Sequence, residues 1–318
     1  LRAEHPGESR LARATAVAAT VVGAGLGALA AGWPGAAAGV VVGAALGLLL
    51  WRRARARERA RRRVLASPFP EPWRRTLLEW CDSYERLDPA WRMRFEDDVR
   101  LFLHEKRVTG VRLELTDELR LLVAASAVTL SVGWPEFEWT GLGEVLVYPD
   151  DFDRDYAFQD GERTSESHAW DEGPLERAGE AHPWGTVILS APSLRESFEY
   201  SDDAYHVGFH EFAHLLDVDQ TRFDGIPAGM SDAAARRWTS VAAREMESLR
   251  RAEGSRRARP VFDDYGAHEP AEFFGVAVEA FFEVPQLVRR KHPEVYELLS
   301  RYFAQDPAAW DDARGLEE

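Results

Sequence analysis

The segment His210-Glu211-Phe212-Ala213-His214 places two imidazoles four residues apart, with a carboxylate directly after the first. On a helix, positions i and i+4 share a face one turn apart, so the two rings can bind one zinc ion. The glutamate at i+1 stands beside them, outside the ligand set, where it can take a proton from a metal-bound water. Zinc lowers the pKa of that water toward about 7, so hydroxide becomes available at neutral pH. The pattern is short enough to occur by chance on a surface helix, and its surroundings argue against that reading. Val207, Phe209, Phe212, Ala213, Leu215 and Leu216 make this helix largely apolar. Two histidines and a glutamate in a buried helix need partners, and a metal supplies them.

A third ligand is required. One arrangement uses a histidine six residues after the second, but that position holds Gln220, and the glycine position between them holds Asp217. That class is excluded. The other common solution is a glutamate on a later helix. The run from Ala271 to Phe282 offers Glu272 and Glu279 among aromatic residues. Seven apart, both acids point to the same side, so one can bind zinc while the other orients a histidine. A structural zinc site usually closes with four protein ligands, and only three are found.

The elements that must hold these residues are legible in outline. Ser67-Pro68-Phe69-Pro70-Glu71-Pro72 reads as a stiff linker. Trp73–Arg86 reads as helical. Asp88-Pro89 is a cap followed by a first-turn proline, and Trp91, Phe95, Val99 and Phe102 then recur at helical spacing. Val111–Leu115 is strand-like. Thr116 caps a helix over Asp117–Val132, apolar nearly all round and therefore central. Glu144–Tyr148 and Thr186–Leu189 read as strands, the second as an edge for an extended substrate. The polar stretch Asp150–His182 between them has no period. Helices follow at about Ser201–Asp217, Ser231–Ala252, Pro270–Glu283 and Pro293–Ala304. The fold class is α+β, dominated by helices, with a small sheet just before the central helical pair.

Charge divides the chain. Its 318 residues carry 54 acidic and 39 basic groups. Residues 1–63 hold eleven arginines and three glutamates, a net of +8, which leaves −23 on residues 64–318. A body that acidic repels phosphates and is no direct nucleic-acid binder. The single cysteine, Cys81, excludes internal disulfides and cysteine-based zinc clusters.

Residues 14–51 contain no charge. A run of 38 residues is too long for one straight crossing of a hydrocarbon layer, which takes about 20. It breaks at Gly32-Trp33-Pro34-Gly35, leaving two spans at about 14–31 and 36–51. Gly23-x-x-x-Gly27 and Gly39-x-x-x-Gly43-x-x-x-Gly47 would let the two helices approach closely in lipid. Arg10 and Arg13 precede the first span, and the Arg52–Arg63 cluster follows the second. The expectation is a transmembrane helical hairpin over residues 1–63 with both ends, and the body at 64–318, on the cytoplasmic side. The arginines would then face anionic headgroups.

From about Ser67 to Pro307 the chain resembles the Mlc titration factor A family of zinc peptidases. The resemblance is carried by Phe102-Leu103-His104-Glu105-Lys106, Glu144 to Pro149, Gly185 to Ser190, His210 to Asp217, Asp224-Gly225-Ile226-Pro227, Tyr265 through Phe282, and Gln305-Asp306-Pro307. The hairpin and the arginine cluster lie outside it. The family's catalytic core looks like that of anthrax lethal factor, a zincin with glutamate as third ligand. The resemblance implies His210, His214 and Glu272 as zinc ligands, Glu211 as general base and Tyr265 as oxyanion donor. It implies hydrolysis of peptide or protein substrates. The family's founding members bind a transcriptional repressor, so a membrane-tethered protein that sequesters such a regulator is the second expectation.

Overall fold

A computed structural model describes residues 6–135, 137–150, 179–182, 185–219, 222–252 and 261–314. The chain divides into two compact units, Leu1–Pro68 and Phe69–Glu318.

In the first unit, helix α1 (Pro6–Ala66) is interrupted at Ala31 and Gly32. Gly32 takes φ +61°, a conformation that suits a residue without a Cβ. The stretches on either side of the break run backbone against backbone. A Cβ on Gly23 would lie 2.4 Å from the Gly39 carbonyl oxygen, and one on Gly27 2.0 Å from that of Gly35. By length and composition this helix is apolar enough to cross a membrane, and Val21, Val22, Leu26, Leu29, Trp33, Val41 and Val42 are all exposed on it.

The second unit is helix-dominated around one small mixed sheet. Helices α2 (Glu71–Trp80) and α3 (Asp82–Glu85) replace the single helix expected to Arg86. Helix α4 (Pro89–Glu105) starts as its sequence dictates: Asp88 Oδ1 accepts the N–H groups of Ala90 and Trp91. Strand β1 (Arg107–Gly110) lies earlier than the expected Val111–Leu115. The Val111 N–H still donates to the Val147 carbonyl, but Arg112 has φ +57° and turns the chain out of the sheet. Thr116 Oγ1 caps α5 (Asp117–Ser131), which is buried on nearly every side. This central helix is flanked by α2, α4 and the helix that bears His210.

The sheet runs β1-β2-β4-β3, with β2 (Glu144–Tyr148), β3 (Gly179–His182) and β4 (Thr186–Ser190). β1, β2 and β4 are parallel, with Val145 opposite both Val108 and Val187. β3 pairs antiparallel with β4, Ala181 opposite Val187. This corrects the reading of Thr186–Leu189 as an edge: β4 is paired on both sides, and β1 and β3 are the edges among the described residues. Gly179-Glu180-Ala181-His182 has no β-branched residue to announce a strand; pairing with β4 makes it one. The remainder of the polar stretch, residues 151–178, lies outside the described residues.

Helix α6 (Ala191–Glu199) leaves β4 directly, with Ser190 as its cap. Helix α7 (Val207–His214) is shorter than expected, because Ala204 (φ +68°) ends the preceding turn and His206 caps the helix. A two-stranded hairpin follows, β5 (Val218–Asp219) and β6 (Arg222–Phe223), then α8 (Asp232–Ala252). A 3-10 turn over Asp264–Ala267 leads into α9 (Pro270–Glu283). Three proline-initiated helices close the chain: α10 (Pro285–Lys291), α11 (Pro293–Phe303) and α12 (Pro307–Arg314). The core beside the site is aromatic: Phe212, Phe273, Phe274, Phe281, Phe303 and Trp238 are fully buried. Each such ring contributes about 1.5–3 kcal/mol of burial, and Phe209 of α7 meets Phe282 of α9 with ring centroids 5.6 Å apart.

Candidate metal centre

Helix α7 presents His210 and His214 on one face, their ring centroids 4.8 Å apart. Helix α9 packs across it and brings in Glu272 from its first turn. Glu272 Oε2 lies 3.0 Å from His210 Nε2 and 3.6 Å from His214 Nε2. One donor atom from each of the three residues falls within 4.8 Å of the others. Two imidazoles and one carboxylate converging in this way form a nitrogen and oxygen donor set that suits a divalent ion such as zinc.

The other acid of α9 reaches the opposite nitrogen of the same ring. Glu279 Oε1 is 2.7 Å from His210 Nδ1, and its Oε2 accepts the His206 N–H at 2.6 Å. Glu272 and Glu279 thus grip His210 from both ends, and Nε2 is the nitrogen that faces His214 and Glu272. His214 is stacked on Phe223, and its Nδ1 lies 4.0 Å from Asp217 Oδ2. Asp217 Oδ2 accepts the Gly225 N–H, and the Gly225 carbonyl accepts from Trp238 Nε1 at 2.7 Å. Gly225 has φ +72°, and a Cβ there would come within 2.3 Å of the Pro270 backbone. That close approach ties the turn after α7 to the start of α9, and so His214 to Glu272.

Burial disfavours charge on Glu272, but the hydrogen bond with His210 and the nearby His214 ring outweigh it and hold the carboxyl well below the usual range. Burial likewise pulls His214 down, yet Asp217 and Glu272 raise it to about 9. His210 is raised well above its ordinary value, because Glu279 and Glu272 overcome the cost of desolvation. These carboxylates favour positive charge at the imidazoles, the electrostatics that a bound cation also exploits.

Glu211 is buried on α7 between the two histidines in sequence. Tyr265 sits on the 3-10 turn, whose cap is Asp263 Oδ1 accepting the Tyr265 N–H. Its ring is half exposed, with its centroid 6.2 Å from that of His210. The structure therefore gathers His210, His214, Glu272 and Tyr265 around one place, with Glu279 and Asp217 behind the histidines. Sequence reasoning gave Gly275 no role, although its position three after Glu272 and four before Glu279 puts it on the same helical face, directly under the His210 ring.

A helix-borne His-x-x-x-His pair completed by a glutamate from a second helix defines a metal-centred class of protein. Within that class, the sequence profile of the glucose-regulated metallo-peptidase M90 family matches residues 52–304, and the chain belongs to that family. The match takes in the arginine-rich segment from Arg52, which the resemblance read from the sequence left out. The chain is 33% identical to the uncharacterized protein slr2042 of Synechocystis over 251 residues, 77% of this chain and 88% of that protein. It is 30% identical to Mlc titration factor A of Edwardsiella ictaluri over 246 residues, 76% of this chain and 88% of the relative. With Mlc titration factor A of Serratia proteamaculans the identity is 28% over 250 residues, 75% of this chain and 91% of the relative.

Proposed function

We propose that the protein is a membrane-anchored, zinc-dependent peptidase. The observation that carries this reading is the convergence of His210 Nε2, His214 Nε2 and Glu272 Oε2 on the helix that also bears Glu211. His210, His214 and Glu272 would hold the zinc. When bound, zinc supplies a Lewis acid that polarises a scissile carbonyl and acidifies water. The Glu211 carboxylate takes the proton of the attacking water and passes it to the departing amine. The Tyr265 hydroxyl donates to the carbonyl oxygen as that atom gains charge. Glu279 holds the His210 ring by Nδ1 and so leaves Nε2 for the ion. The test is a comparison of newly formed protein termini in membranes containing wild type or Glu211→Gln. Termini present only with wild type support a peptidase; identical sets refute it.

The amino-terminal unit is read as a transmembrane hairpin over about 14–31 and 36–51. The break at Gly32, the glycine-to-glycine approach of the two stretches and the arginines at both outer flanks support this. The body then faces the cytoplasm.

The name of the relatives, Mlc titration factor A, supports a second reading, a tethered binding protein that sequesters a transcriptional regulator. It predicts zinc retention with no turnover, and capture of a regulator that Glu211→Gln leaves intact.

A further inference from the structure

Behind the metal centre, two buried polar groups of complementary chemistry face one small cavity. His206 is 1% exposed and Glu283 6% exposed. His206 Nδ1 accepts the Phe209 N–H, and burial holds the ring neutral, pulling its pKa down to about 3. A neutral imidazole that accepts at Nδ1 carries its proton on Nε2. That Nε2–H has no hydrogen-bond partner among the described residues, and neither has Glu283 Oε2. Both residues line a cavity of about 10 Å³, walled also by Asp82, Ser83, Arg86, Ser197 and Ser201 and by aromatic rings. That volume admits the centre of one water molecule and little more.

We propose that this cavity is a binding site for a single structural water, which accepts from His206 Nε2–H and donates to Glu283 Oε2. A metal cation is disfavoured, because the wall offers a protonated His206 nitrogen and the positive charge of Arg86. The water has a task beyond satisfying two orphaned groups. His206 caps α7, and its backbone N–H holds Glu279, which in turn holds His210. The water braces this cap, so it supports the ring that faces the metal. The site itself does not rest on the peptidase reading, whereas the bracing role rests on zinc binding at His210.

The test is a high-resolution crystal structure of the full-length, zinc-loaded protein, with and without a rubidium soak. The expected result is one water within about 2.7–3.2 Å of both His206 Nε2 and Glu283 Oε2, with no anomalous peak. An empty cavity, a direct His206–Glu283 hydrogen bond or a rubidium peak would overturn the proposal. Glu283→Gln keeps an acceptor oxygen and should keep the water. Glu283→Leu should expel it, and persistence of the water there would overturn its dependence on Glu283. In competition with a chelator, Glu283→Leu should weaken zinc binding by about 10-fold, the low end for loss of an outer partner. Zinc affinity unchanged in the leucine variant would overturn the bracing role while leaving the peptidase reading standing.

Discussion

Gly275 and His210 compete for one space: a Cβ on Gly275 would lie 2.6 Å from His210 Cε1 and 2.7 Å from Nδ1. The imidazole fits under α9 only because that position has no side chain. Gly275→Val should therefore swing the ring away from Glu272 and Glu279 and leave most of the protein without zinc. Gly275→Ala puts that same Cβ against a ring held at both nitrogens, so it should already weaken zinc binding, by less than the valine. Elemental analysis beside circular dichroism separates lost metal from lost fold. A folded valine variant with full zinc would refute the packing argument.

Ligand and base should separate by substitution. Wild type should hold about one equivalent of zinc per chain, and His214→Ala and Glu272→Ala should lose it. Glu211→Gln should keep the zinc and lose turnover by about 10²-fold or more. Glu279→Gln should retain the site with about 10- to 100-fold weaker binding. If Glu279→Ala loses metal while Glu272→Ala keeps it, the assignment of the third ligand is wrong.

Tyr265→Phe removes a hydroxyl but keeps the half-exposed ring near His210. An oxyanion donor lost in this way lowers kcat by about 10²-fold with little change in KM. Steady-state kinetics on a peptide that wild type cleaves will show it, and an effect confined to KM would assign Tyr265 to substrate positioning.

Stability should fall with rising pH through Glu283. Burial, then the charges of Asp203 and Glu279, push its carboxyl up to about 10 against the opposing Arg86, with Asp82 adding to the rise. The unfolded chain releases this proton near about 4.3, whereas the folded chain keeps it. The stabilising contribution is complete below that lower value and is lost as pH climbs toward the upper one. Glu283→Gln cannot titrate, so its Tm should gain on that of wild type steadily from pH 5 to about pH 9. Parallel Tm profiles for the two proteins would contradict the shift.

The full-length protein should resist extraction by carbonate or high salt and require detergent. An arginine cluster held only by headgroups is released as the Debye length shrinks to about 3 Å near 1 M salt, whereas inserted helices stay. A chain truncated to begin at Ser67 should be soluble and still bind zinc. Protease added outside intact cells should spare the body, and its cleavage there would reverse the topology.

Local chemistry determined much of this protein. The 3.6-residue period put His210 and His214 on one face, and side-chain oxygens of Asp88 and Thr116 started α4 and α5 where the sequence placed them. An apolar, uncharged run marked the amino-terminal helix, and Glu272 and Glu279 were legible as a same-side pair. What each acid does to His210 was not, because spacing along one helix says nothing about the helix it meets. Packing of α9 across α7 decided that Glu272 faces Nε2 and Glu279 faces Nδ1. The same holds for β3, where a partner strand overrides weak local propensity, and for Arg112, whose positive φ ends β1 before an apolar run can extend it. Gly275 is the plainest case: a missing side chain leaves no pattern along the chain, and its purpose exists only once another helix brings a histidine against it.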